Sequence, residues 1–241
     1  MQNNLHKKKI LILAASSDIG VSVVEKFLDN DWYVVAHYNQ NTKKLFKFKN
    51  QKKIQFFKLD LSKPINIEKT KKIKKYLTDV SSFVSLTGYL NLNNYDNFKI
   101  SEFFKHININ YLNNQIFIRY LLKSMIKKKW GRILVSSSVG TKFGGGENSY
   151  LYSLSKFMNE FFPKIFKNLA KQNIFYNSIQ IGLTNTKLNS VDKNKDLKKR
   201  VSQVPIQRMA KPEEIAEHIY NLASDKNTYI TLHKSIIAGG E

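Results

Sequence analysis

The sequence contains no cysteine. Disulfides and thiolate-bound metals are therefore excluded, and the chain is compatible with a reducing cytosol. A cytoplasmic location and no metal site are expected. Arginine is almost as scarce, standing only at Arg119, Arg132, Arg200 and Arg208. Acidic residues are few: 18 Asp and Glu face 40 Lys and Arg, a net charge of +22. Such a charge invites a nucleic-acid reading, but lysine supplies nearly all of it. Arginine is the residue expected where phosphates are gripped bidentately or bases are read. Lys7–Lys9, Lys71–Lys75 and Lys127–Lys129 read as solvated helix faces and turns, and abundant Asn, Ile, Phe and Tyr fit drift in an AT-rich genome. No specific nucleic-acid partner is expected. A competing nucleic-acid reading would require retention on DNA or RNA that survives moderate salt.

Long apolar runs are missing too. No segment approaches the roughly 20 apolar residues that cross a bilayer, so no membrane association is expected. The opening MQNNLHKKKILIL passes from basic residues into an apolar run from Ile10 to Ala15, with polar residues directly after it. That reads as a first buried strand rather than a signal peptide. There is no low-complexity linker, internal repeat or compositional boundary.

What is present is alternation. Short apolar runs at 8–15, 32–38, 54–61, 81–88, 132–138, 175–182 and 233–239 read as strands. Helix-period segments lie between them: Val21–Leu28, Glu102–Ile126, Tyr150–Lys171, and 212–224 with Pro212 in its first turn. Strands separated by helices imply parallel pairing. The expectation is an α/β fold, a doubly wound sheet of about seven parallel strands in one domain over 1–241. The polar, lysine-rich segment 184–211 would form a lid over the carboxyl ends of the strands.

Two local patterns carry chemistry. AASSDIG (14–20) follows a strand and opens a helix, the setting in which backbone N–H groups receive a pyrophosphate. Of a G-x-x-x-G-x-G pattern only Gly20 is present, with Ala14 and Asp18 in the other two places. YLYSLSK (150–156) sets Tyr152 and Lys156 one helical turn apart on one face. A free phenol ionises near ~10, and a neighbouring ammonium brings it toward the working range. Tyr150 has leucine at position 154 and so lacks that partner.

In order along the chain these motifs resemble the short-chain dehydrogenase/reductase family, from about Lys8 to Gly240. Tyr152-Ser153-Leu154-Ser155-Lys156 matches the family's Y-x-x-x-K, and GRILVSSSVG (131–140) looks like the strand that ends in its active-site serine. Among Ser136, Ser137 and Ser138, alignment of the motif picks Ser138. Asn110 falls where the family keeps an asparagine on a central helix. NSIQIGLTNTKL (177–188) is similar to its N-x-x-x-P-G-x-x-x-T segment, and RMAKPEEIAEHIYNLASDKNTYIT with IIAGG resembles the C-terminal part of the bacterial 3-oxoacyl-carrier-protein reductase branch.

The resemblance implies a Rossmann fold and an NADPH-dependent reduction of a carbonyl to an alcohol. Tyr152 would donate the proton and Ser138 would hydrogen-bond the carbonyl oxygen. Lys156 would tune the phenol and hold the nicotinamide ribose, and Asn110 would anchor a water chain. The cofactor would lie along Ala14, Ser16, Ser17, Asp18, Ile19 and Gly20, then Tyr38 and Asn39, Asp60 and Leu61, Thr87 and Gly88, Thr184 and Thr186. Tyr38 and Asn39 stand where NAD-preferring members carry an acidic residue, and Lys43 and Lys44 follow, so NADP(H) is favoured over NAD(H). The substrate would be a small or carrier-protein-linked carbonyl compound, a sugar included. A homodimer or homotetramer would form through the helices at 102–126 and 150–171, which carry Phe157, Phe161 and Phe162. A low-turnover dinucleotide-binding scaffold is the competing expectation, raised by the altered glycine loop. Other departures are Ser85-Leu86-Thr87-Gly88 in place of N-N-A-G, Ile181 in place of proline, and Leu232 in place of glycine.

Overall fold

A computed structural model describes residues 8–40, 42–193 and 196–241. Seven parallel strands form one sheet in the order β3-β2-β1-β4-β5-β6-β7. They are β1 (Lys9–Leu13), β2 (Tyr33–Tyr38), β3 (Ile54–Lys58), β4 (Ser82–Ser85), β5 (Gly131–Ser138), β6 (Ile174–Ile181) and β7 (Lys234–Ile237). The inner strands are buried almost throughout because both faces are covered. Ile10 and Ile12 of β1 join Val34 and Ala36 in a core under α1 (Asp18–Asp29) and α8 (Pro212–Ala223). Leu11 and Leu13 point the other way, into a core closed by Phe117, Leu121 and Met125 of α4 (Asn113–Lys128). Strand order reverses between β1 and β4, and the crevice at such a switch point is where ligands bind in open α/β sheets.

Two expected helices are not continuous. The segment read as helical from Glu102 to Ile126 comprises α3 (Ile100–Ile107), a π-turn over Asn108–Leu112, and α4. The Asn113 amide reaches back five residues to the Asn108 carbonyl, and the turn contains Asn110. The helix expected over Tyr150–Lys171 is α5 (Tyr150–Phe157), a 3₁₀ turn at Met158–Glu160, and then α6 (Ile165–Leu169). Pro163 explains the break: it donates no N–H and disfavours helical backbone at Phe162 before it. The lysine run near 71 forms a helix of its own, α2 (Lys71–Leu77), which buries Ile73 and Leu77. Within 184–211 lies α7 (Leu197–Ser202).

Three arginines serve the fold. Arg132 is buried, its guanidinium 4.5 Å from the Trp130 ring centroid and 4.0 Å from that of Phe175, donating to the carbonyls of Asn227 (2.8 Å) and Asn173 (2.7 Å). Arg200 pairs with Glu241, and Arg208 with Glu214. Among the described residues no helix is long and apolar enough to cross a membrane.

Candidate active site

A cleft of about 1250 Å³ opens beyond the carboxyl ends of β1, β4, β5 and β6. Most of the expected site residues line it: Ala14, Ser16 to Ile19, Asn39, Asp60, Leu61, Thr87, Gly88, Ser138, Tyr152, Lys156, Thr184 and Thr186. Gly20, Tyr38 and Asn110 do not.

Tyr152 and Lys156 share one face of α5. The Tyr152 ring and hydroxyl lie 3.9 Å from where a Cβ on Gly88 would stand, and the hydroxyl meets Ser138 at the end of β5. Burial pushes the phenol up to about 12, and the Ser138 hydrogen bond opposes that rise. Lys156 is buried, and its ammonium donates to the Ser136 hydroxyl (2.7 Å) and the Thr87 carbonyl (2.9 Å). Burial pushes it down to about 7. Its two hydrogen-bond acceptors are thus Ser136 and Thr87, while the position of the Tyr152 phenol reflects burial, opposed by Ser138.

Alternation along β5 divides the three serines. Ser136 and Ser138 serve the amine and the phenol. Ser137 donates to Glu160 Oε1 (2.6 Å), which also accepts from Thr141 (2.7 Å) and Gln180 (2.8 Å).

Asn110 sits behind the cleft wall. Its side chain accepts from the Tyr89 amide (2.7 Å) and donates to the Tyr89 carbonyl (3.0 Å) and Ser155 Oγ (2.9 Å), so it fastens the chain after Gly88 to α5. Its own carbonyl accepts from the amides of Asn114 and Asn159, each at 2.8 Å. Asn114 also supplies the bracing that N-N-A-G would have given: its Oδ1 accepts from Ser85 Oγ (2.7 Å) and Thr87 Oγ1 (3.3 Å). The signal for Asn114 was its spacing of four from Asn110 within ININYLNNQ.

At the other end of the cleft, Ala14 adopts the left-handed backbone (φ +57°) that glycine takes without strain. Its N–H donates to His37 Nδ1 (3.0 Å), and the other ring nitrogen donates to the Leu59 carbonyl (2.9 Å). Burial pushes His37 down to about 4, so the ring is neutral with its proton on Nε2. His37, not Tyr38, faces the cleft from β2; the Tyr38 ring packs edge-on against Phe46. Strand alternation makes it impossible for both to face the same way.

Ser17 caps α1 by accepting the Gly20 amide (3.0 Å). A Cβ on Gly20 would stand 2.4 Å from the Ala14 carbonyl oxygen, so only glycine fits this turn. The Asp18 and Ile19 amides precede the first helical hydrogen bond, from Val21 N–H to the Ser17 carbonyl (2.9 Å), and both residues line the cleft. Orphan amides at a helix start are the donor set that suits a pyrophosphate. The Asp18 carboxylate is turned aside from capping: it accepts from Lys44 Nζ (2.6 Å) and from the Lys187 amide (2.8 Å). Asp60 closes a turn onto Ser62 N (2.8 Å) and Oγ (2.9 Å). Among the described residues no group of three or more His, Asp or Glu is placed to hold a metal.

A family profile described as "Enoyl-(Acyl carrier protein) reductase" matches residues 13–241. The chain is 27% identical to the 3-oxoacyl-[acyl-carrier-protein] reductase FabG of Buchnera aphidicola subsp. Acyrthosiphon pisum over 245 residues, covering 98% of each chain. It is equally 27% identical to dehydrogenase/reductase SDR family member 6 of Xenopus laevis, over 98% of each. Among solved structures, ElxO with NADP bound superposes with a TM-score of 0.83 at 27% identity, over 97% of this chain and 98% of the other.

Proposed function

The chain belongs to the short-chain dehydrogenase/reductase family of NAD(P)-dependent oxidoreductases, and on that premise we propose that it reduces a carbonyl to an alcohol with NADPH, in the manner of the 3-oxoacyl-carrier-protein reductases. The observation that carries this reading is Tyr152 and Ser138 meeting over Gly88, with the Lys156 amine buried behind them.

A bound nicotinamide dinucleotide supplies the hydride. The chain's own residues manage the proton. Raised to about 12, the Tyr152 phenol is fully protonated at neutral pH and is a donor to the oxygen of a bound carbonyl. Ser138 donates to the same oxygen and then to the phenolate, which burial alone would disfavour. Lys156, pushed down to about 7, exists in both charge states near neutrality. It can stabilise the phenolate as an ammonium and then return a proton to it. Asn110 positions α5 against the 89 segment rather than touching reacting atoms.

Preference for NADPH rests on the missing carboxylate at the end of β2 and on Lys44, whose ammonium stands at the cleft mouth on Asp18. Leu90, Leu92, Ile109, Leu188 and Val191 give the substrate end an apolar wall, which favours an acyl substrate on a carrier. Arg200, Gln203 and Glu241 line the same cleft, and this polar set favours the second reading, a small polar carbonyl compound such as a sugar. The segment 184–211 would act as the substrate lid of a single-domain protein working in the cytoplasm. Exposed Phe157, Phe161 and Ile165 offer the apolar face for a homodimer or homotetramer.

The test follows NADPH absorbance against β-ketoacyl thioesters, keto-sugars and quinones, with Tyr152→Phe alongside. Turnover of one class, reduced by about 10²–10⁴-fold in Tyr152→Phe, supports the reading. Equal rates in the two proteins sink the role of Tyr152. NADPH binding without turnover of any carbonyl leaves the scaffold reading in its place.

A further inference from the structure

Three distant parts of the chain converge on one carboxylate at the mouth of the cleft. Asp18 opens α1; Lys44 follows β2 by six residues; Lys187 lies beyond β6 in the segment that covers the cleft. Asp18 Oδ1 accepts from Lys44 Nζ at 2.6 Å and Oδ2 accepts from the Lys187 amide at 2.8 Å, with only 12% of the Asp18 side chain exposed. Helix capping does not account for this carboxylate, because Ser17 is the cap.

The partners Asp18 has collected are those of a bound phosphate: an ammonium, a backbone N–H and the start of a twelve-residue helix. Burial works to raise the Asp18 carboxyl, but Lys44 and the Lys187 amide outweigh it and hold it below the usual range, so the group is an anion. Its neighbours Ser16, Ser17 and Ile19 line the same cleft wall. Any phosphate drawn to the Asp18 and Ile19 amides would lie beside a fixed negative charge and would find Lys44 already paired.

We infer that Asp18 is an internal competitor for the dinucleotide's phosphates, and that it sets the affinity and the NADP-over-NAD preference of the site by occupying Lys44 and the Lys187 amide. This rests on the dinucleotide reading given above. A phosphate must break the Asp18–Lys44 pair to gain that ammonium. When it does, Lys44 becomes available to a 2′-phosphate, which NADPH carries and NADH does not. The same displacement releases the Lys187 amide, so dinucleotide binding and the hold on the stretch from Thr184 to Ser190 are linked.

The experiment measures binding to the intact protein by titration calorimetry, with NADPH, NADH and inorganic pyrophosphate as probes, for the parent, Asp18→Asn, Asp18→Gly and Lys44→Met. Asp18→Asn removes the charge yet keeps an acceptor for the Lys187 amide. It is expected to bind NADPH and pyrophosphate about tenfold more tightly, with a smaller gain for NADH. Asp18→Gly is expected to gain as much and, without ligand, to be cut by trypsin at Lys187 several-fold faster. Lys44→Met is expected to lose more affinity for NADPH than for NADH, a result that holds even where the Asp18 variants fold poorly. Unchanged or weaker pyrophosphate binding by Asp18→Asn overturns the inference and makes Asp18 a strut. Tighter pyrophosphate binding with no NADPH binding in any variant upholds it for phosphate and overturns the dinucleotide reading instead.

Discussion

Lys156 gives a 2.7 Å hydrogen bond to the hydroxyl of Ser136, two residues before the serine that meets Tyr152. One strand edge therefore handles both halves of the acid–base pair, Ser136 behind the amine and Ser138 in front of the phenol. Neither acceptor of the ammonium is charged, since the other is the Thr87 carbonyl at 2.9 Å. With no carboxylate to compensate, burial dominates and the amine is held at about 7 rather than in the ordinary lysine range.

Ser136→Ala removes the side-chain acceptor from that ammonium. A hydrogen bond to a charged group favours the charged form, so the amine should fall further below the ordinary lysine range. The pH–rate profile of carbonyl reduction reads this directly: the limb that reports Lys156 moves toward acid. A profile that superposes on the parent's removes Ser136 from the account.

Ser138→Ala takes away the one hydrogen bond that opposes the upward shift of the phenol. The phenol then rises further, and the carbonyl oxygen loses a donor. A fall in kcat of about 10²-fold with KM nearly unchanged is expected, as for loss of one oxyanion donor. A change confined to KM would assign Ser138 to binding alone.

Ala14 and Leu232 both stand at left-handed backbone, φ +57° and +54°. Ala14→Gly relieves a strain of ~1–2 kcal/mol and gives back part of it as chain entropy, a net stabilisation of about 0.5–1 kcal/mol. Leu232→Gly goes the other way, because that side chain packs against the core beneath β6, and ~1–2 kcal/mol of burial is lost with it. Urea midpoints of the two variants, moving in opposite directions, check this.

His37 is neutral in the fold and held at about 4, against about 6.5 when unfolded. The unfolded chain therefore binds more protons between these values, and stability rises with pH there. Its contribution is fully present above pH 6.5 and is lost as pH falls toward 4, by roughly 3 kcal/mol in all. Thermal melting at pH 7 and pH 4.5 should show the loss. His37→Asn, which can still accept from the Ala14 amide, should flatten the slope in that window.

Much of the architecture was legible from one-dimensional patterns. Apolar runs of strand length between helix-period segments gave seven parallel strands, and the spacing of Tyr152 and Lys156 put them on one helix face, whereas Ser138 came from the family resemblance. Both readings succeed because periodicity and neighbour spacing are properties of a few consecutive residues. Departures from the glycine pattern were visible as well, yet not their outcome: Ala14 keeps the left-handed turn, held by His37 from a strand 23 residues away. The break before α6 has a local signal too, in Pro163.

What remained hidden are partnerships across the fold. Asn114 replaces the missing N-N-A-G asparagine from 29 residues beyond Ser85, and Asn159 reaches Asn110 from 49 residues away. Asp18 meets the Lys187 amide across 169 residues. The amino-acid order settled which segments become strands and helices and which side chains could do acid–base work. Where each hydroxyl, amide and ammonium finds its partner was decided only when the sheet brought distant segments within 3 Å or so of one another, because a hydrogen bond depends on position and direction in space and leaves no period in the chain.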